Sequence, residues 1–188
     1  MGVWGTNSAF PAEIEAESGI VLGSRCRIQR IGVYTEKMTV LKSVISVFLF
    51  LEAANVITLY WFPGSTYANG VGVFKAWERS KRDPAMHRFV RYLVNWVAGT
   101  KLIFILLLIV MLFTVDDRGL ILTGIAMVLS IASFFWRLYP LIRKMDRAGE
   151  IDPPRYSLVL GGMILGFILA FLIVTVAAGS SDLMLFRR

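Results

Sequence analysis

Four long apolar stretches constrain this chain more than any other feature. Residues 44–62 are 19 positions with one charge, Glu52. Residues 102–115 are 14 positions without a charge, and the stretch reaches back to Val94 if Asn95 and Lys101 are admitted. Residues 119–136 and 158–178 add 18 and 21 uncharged positions. A bilayer core ~30 Å thick takes roughly 20 apolar residues as a helix. Three of the four stretches have no charged edge to turn toward water. The reading is an all-α integral membrane protein, with four transmembrane helices in an up-down bundle at about 39–62, 84–115, 119–142 and 155–179.

Composition narrows the classes. The chain has 188 residues, 56% of them hydrophobic, and a mean hydropathy of +0.66. That is one compact membrane domain without room for a separate soluble one. The formal net charge of +7 would raise nucleic acid in a soluble protein. Here the bases gather in loops, where membrane topology accounts for them, and no nucleic-acid partner is expected. Cys26 and His87 are the only residues of their kinds, so neither an internal disulfide nor the usual zinc or bis-histidine haem motifs can form. No cofactor or metal is expected.

Residues 1–38 lack the basic, apolar and cleavage-site order of a signal peptide. Glu13, Glu15 and Glu17 come early, and Arg25, Arg27 and Arg30 late. The segment reads as a flexible tail, with Met38 as an alternative start directly before the first span. Residues 180–188 read as a short C-terminal tail.

The first span ends in Tyr60, Trp61 and Phe62, an aromatic belt, followed by Pro63 and Gly64 as a stop. In the loop that follows, 73–82 reads as a short amphipathic cytoplasmic segment. Phe74 and Trp77 would dip into the bilayer and Lys75, Arg79, Lys81 and Arg82 would meet phosphates. Asp83-Pro84 reads as N-cap and first residue of the second helix. The short Asp116-Asp117 link predicts that the second and third helices are antiparallel neighbours. Pro140 predicts a kink near the interface, and Gly149 a helix stop. Asp152-Pro153-Pro154 opens the fourth helix.

Lysine and arginine set the orientation. The two larger loops hold ten: Lys75, Arg79, Lys81, Arg82, Arg88 and Arg91, then Arg143, Lys144, Arg147 and Arg155. The other side holds eight, or four if translation begins at Met38. Both loops are therefore expected in the cytoplasm, facing anionic headgroups, and both termini outside, in the plasma membrane. Lys75, Arg79, Lys81, Arg82, Arg88, Arg91, Arg143 and Lys144 are the expected headgroup contacts.

Three groups of residues carry candidate chemistry. Glu52 and Lys101 each lie ten residues from the cytoplasmic edges Phe62 and Arg91. At ~1.5 Å per residue that is about 15 Å deep, close to the midplane. A lone charge there costs on the order of 2.5–3.5 kcal/mol, so the two are expected to pair, with Asn55 and Asn95 extending the polar network. The pair can be glue that sets helix register, or a proton or ion site. Thr123, Ala126, Ser130, Ser133 and Arg137 recur at steps of three and four, a packing seam or a pore lining. Gly162, Gly166 and Ala170 form a small-xxx-small row, facing either the other helices or a second copy. In the loop, Glu78, Asp83, His87 and Arg88 suggest an acid–base cluster for lipid headgroups, though no nucleophile motif accompanies them.

The functional expectation is a non-enzymatic accessory protein that self-associates, as a homo-oligomer, or joins a larger membrane complex. The alternatives are a small proton- or ion-coupled transporter using Glu52 and Lys101, and a headgroup enzyme.

Overall fold

The computed structural model describes the backbone of residues 11–67 and 70–186, and the side chains of 28, 29, 31–67 and 70–180. Among these residues all extended regular structure is helical: α1 (Pro11–Trp61), α2 (Lys75–Ser80), α3 (Pro84–Thr114), α4 (Asp117–Ala132), α5 (Phe134–Arg147) and α6 (Tyr156–Phe186). Four segments are long and apolar enough to cross a membrane: Ile31–Trp61, Pro84–Thr114, Asp117–Arg147 and Tyr156–Ser180. Their outward faces carry large apolar side chains such as Phe50, Phe113, Leu122, Val159 and Ile173. The chain is a multi-pass helical membrane protein.

Buried positions on the helices recur at steps of three and four, the period of left-handed helix packing. On α1 they are Met38, Leu41, Ile45, Phe48, Asn55 and Leu59, with Glu52 in the same register. On α3 they are Val94, Ala98, Ile105 and Leu108, with Lys101 in register. On α6 the stripe runs through Ser157, Leu160, Phe171 and Ala178. The expected irregular segment up to residue 38 is therefore corrected where the structure describes it. The helix is continuous from Pro11, and Met38, 4% exposed, belongs to the main core with Phe171 and Ala178. Residues 1–10 lie outside the described residues, as do 187–188. The expected C-terminal tail is likewise helical as far as Phe186.

α1 occupies the centre. It packs along α3 on one side and α6 on the other, and α6 packs along α4 and α5. Phe48 locks α1 to α6 with edge-on contacts to Phe167 and Phe171, at centroid distances of 5.6 and 5.5 Å. α3 and α4 share little surface although only Val115 and Asp116 join them. The close pairing expected from that short link is thus corrected: the interlocked rings put α1 and α6 between the other two.

Local chemistry sets the helix ends. Asp83 caps α3 by accepting from the amides of Ala85 (2.9 Å) and Met86 (3.3 Å), with Pro84 at the first position. Asp116 caps α4 by accepting from Gly119 at 2.9 Å. α5 closes with a Schellman arrangement: Glu150 N–H donates to the Met145 carbonyl (2.9 Å), Gly149 N–H to Asp146 (3.1 Å), and Gly149 sits at φ 68°. Pro140, where a kink is expected, does not end the helix, and the break between α4 and α5 falls at Ser133. The Ser133 hydroxyl donates to the Ser130 carbonyl at 2.6 Å and so competes with the helical amides, while α5 runs through Pro140.

The two larger loops meet at one end of the bundle. Phe74 and Ile151 form an antiparallel bridge. Lys75 N–H donates to Glu150 and Asp152 N–H to Val73, both at 2.9 Å. Beneath the bridge Val73, Ile142, Ile151 and Leu160 make a second core, with Phe74, Phe134, Met145, Tyr156 and Ile164 around it. The dipping of Phe74 and Trp77 into lipid is corrected accordingly. Phe74 packs on this core, and Trp77 is buried against Gly64 and the His87 ring, because the loop has protein to pack on.

The intramembrane ion pair and the outward faces

Because Glu52 and Lys101 stand in register with the seams of α1 and α3, the packing that buries their neighbours brings them face to face. Lys101 Nζ donates to Glu52 Oε2 at 2.7 Å. One turn along α3, Ala98 is fully buried and small enough to let the helices approach. On α1, Asn55 and Val56, three and four residues beyond Glu52, are buried. The side chains of Lys101 and Glu52 stay 33% and 23% exposed, so the pair lies at the margin of the α1–α3 contact and not within the core. Asn95 is exposed and off the α3 seam, so the structure does not bring it to the pair.

Chemically, the arrangement holds one proton donor and one carboxylate in a medium that penalises either charge alone. The direct hydrogen bond is charge-assisted, the stronger kind. The pair can therefore serve as a link between α1 and α3.

The other candidate groups fall out differently. Of the α4 row, only Thr123 is buried, with its hydroxyl donating to the Gly119 carbonyl at 2.8 Å. Ala126, Ser130, Ser133 and Arg137 are exposed, turned away from α6. Close helix approach occurs elsewhere. A Cβ on Gly124 would meet Thr175 Oγ1 on α6 at 2.3 Å, and one on Gly161 would meet the Tyr139 ring at 2.7 Å. Thr175 Oγ1 is buried there without a hydrogen-bond partner. Gly162, Gly166 and Ala170 are exposed, and a Cβ on either glycine would meet nothing within 4 Å. These rows were read from residue size, and size does not say which neighbour a helix turns toward. The adjacent Gly161-Gly162 pair was the available signal for the true contact, one residue off.

In the loop, the carboxylates are engaged away from His87. Glu78 pairs with Lys81 at 2.6 Å and Asp83 caps α3. His87 Nδ1 lies 2.9 Å from Ser80 Oγ, whose hydroxyl donates to the Trp77 carbonyl at 2.7 Å, so the histidine N–H faces the serine oxygen. Its ring stands 4.9 Å from that of Trp77. This is a clasp between α2 and α3 and not an acid–base pair. Arg88 is exposed beside it, as are Lys75, Arg79, Lys81, Arg82, Arg91, Arg143 and Lys144, all on the end where the loops join. Asp146, absent from the sequence reading, caps α6. Its carboxylate accepts from the Arg155 amide and from both the amide and hydroxyl of Ser157. Among the described residues no group of His, Cys, Asp and Glu is placed to hold a metal ion.

No protein-family model matches the sequence, and comparison with curated proteins and with solved structures gives no significant match either.

Proposed function

We propose that the protein works inside the membrane as a non-enzymatic interaction partner, associating through the outer face of α6 with a second copy of itself or with a larger complex. The observation that carries this reading is the row Gly162, Gly166 and Ala170. It is exposed and open on a helix that already packs by its opposite side. Rows of small residues let a second backbone approach closely, and van der Waals packing drives association where lipid removes the hydrophobic term. The Glu52–Lys101 pair then serves to hold α3 against α1. In this reading the bundle runs up and down in the plasma membrane. The joined loops face the cytoplasm and its anionic headgroups, and both termini lie outside, as the distribution of lysine and arginine favours.

The test is oligomeric state in mild detergent and in bilayers for wild type and the Gly162→Leu/Gly166→Leu variant. The reading expects an oligomer that the double variant converts to a folded monomer. A wild-type monomer at all concentrations would remove self-association as the use of this face.

Transport is the second reading, favoured by the partial exposure of the ion pair. It expects proton or cation flux in reconstituted vesicles that Glu52→Gln abolishes without unfolding the protein.

A further inference from the structure

The joined loops and the helix ends that carry them form a small headpiece beyond the apolar part of the bundle. At ~1.5 Å per residue, a hydrocarbon layer ~30 Å thick is crossed by about 20 residues. Counted from Asp117, that distance along α4 and α5 ends near Trp136. Counted back from Thr114, it ends near Asn95 on α3. Trp136 and Trp96 are exposed at these two places, and Trp61 is exposed at the end of α1. Amphipathic rings prefer this level.

Just past it stand Arg88, Arg91, Arg137, Arg143, Lys144 and Arg155, all exposed. By the same helical rise of ~1.5 Å per residue the first five lie within ~12 Å of the hydrocarbon edge. None of the six is paired with a carboxylate among the described residues. Of the five acids of the headpiece, three are turned to other work: Glu78 to Lys81, Asp83 to the start of α3, and Asp146 to the start of α6, which leaves Glu150 and Asp152 against the six bases. Of the apolar side chains in the joined loops, Val73, Phe74 and Trp77 are turned into the protein, while Met86 and Phe89 stand exposed on the first turns of α3 beside Arg88 and Arg91.

We propose that this headpiece is a preorganised binding surface for anionic phospholipids of the protein's own bilayer, holding their phosphates by charge. The loops are tied to each other by the Phe74–Ile151 bridge, and α2 is tied to α3 by the Ser80–His87 contact. The basic side chains are therefore displayed on a fixed frame, and attraction between such side chains and an anionic leaflet is screened by salt. The inference rests on the four membrane spans. It does not depend on which side the loops face, nor on self-association through α6.

The experiment uses the full chain in nanodiscs whose two leaflets are alike, so sidedness does not enter. Spin-labelled phosphatidylglycerol and spin-labelled phosphatidylcholine are compared for the motionally restricted fraction at the protein surface. Wild type is expected to select phosphatidylglycerol several-fold at low ionic strength, and to lose most of that selection at high salt. The variant Arg88→Gln/Arg91→Gln/Arg143→Gln/Lys144→Gln is expected to lose it at low salt while keeping its helical content. If that variant does not fold, Arg88→Gln/Arg91→Gln and Arg143→Gln/Lys144→Gln should each lose part of it. Lys42→Gln/Arg118→Gln should keep it. Equal association of both lipids, selection that survives high salt, or selection that follows Lys42 and Arg118 would overturn the proposal. Binding of soluble polyglutamate without lipid selection would also overturn it, assigning the surface to an acidic soluble partner.

Discussion

A few contacts hold disproportionate weight because the surrounding medium cannot replace them. Removing one member of the Glu52–Lys101 pair leaves the other charge among hydrocarbon. Glu52→Gln and Lys101→Met should each destabilise the fold by about 1–3 kcal/mol, less than a fully enclosed charge because both side chains are part-open. The double variant should recover most of the loss. Reversible unfolding in micelles measures all four proteins, and additive losses would mean that the two groups do not act as a pair. Glycines separate in the same way. Gly124→Ala forces a methyl against Thr175 Oγ1, 2.3 Å from the ideal Cβ, and should cost about 1–3 kcal/mol. Gly162→Ala enters open space and should not destabilise a single chain, with a gain of about 0.5–1 kcal/mol from helix propensity. Equal effects at the two positions would contradict the packing described for α4 and α6.

At the scale of elements, the loops behave as parts of the fold. α6 begins where it does because a carboxylate on the preceding helix reaches across nine residues to the Arg155 amide. Asp146→Ala should therefore cost about 0.5–2 kcal/mol, the range for losing a helix cap. Its signature should be faster amide exchange confined to 148–158, and unchanged exchange there would leave Asp146 without this role. Trp77 anchors the other loop by packing against Gly64 and His87. Trp77→Ala should expose 65–82 to limited proteolysis while the four long helices keep their circular dichroism, since the loop rests on a core of its own. Protection equal to wild type would show that the bridge to Ile151 suffices alone.

For the whole molecule, the two loops share one end, and this predicts how the chain is threaded. Cys26 is the only cysteine, so a Cys26→Ser background permits single-cysteine labelling with a membrane-impermeant maleimide. Thr66→Cys and Ala148→Cys should react from the same side of the membrane, and Arg118→Cys from the other. A split between Thr66 and Ala148 would rule out four crossings in this order. Which side the loops face is a separate result of the same measurement, and cytoplasmic reaction at Thr66 and Ala148 is expected from the basic residues around them.

The existence and approximate limits of four membrane-length helices follow from the sequence, because hydrocarbon demands long uncharged runs and ends them at charges, aromatics and turns. Several end devices are equally local: Asp83 before Pro84, Asp116 before Gly119, and Gly149 at positive φ. The depth of Glu52 and Lys101 could be counted from the same landmarks. Which faces meet could not. Along α6 almost every position is apolar, so the contrast that marks the inner face of a soluble helix is missing, and Gly162, Gly166 and Ala170 looked as well suited to packing as Gly161 and Thr175. Phe48, Phe167 and Phe171 decided the matter by interlocking α1 with α6, which displaced α3 and α4 to the flanks. The loops were likewise beyond a local reading. Phe74 and Trp77 have the composition of a membrane-surface segment, and only the arrival of Ile151 and Gly64 beside them offers protein in place of lipid. The sequence by itself determined the medium, the number of long helices and the charges placed within them. The tertiary structure alone decided which helices touch, which small residues are used, and where the loop aromatics go, since these depend on shape between segments distant in the chain.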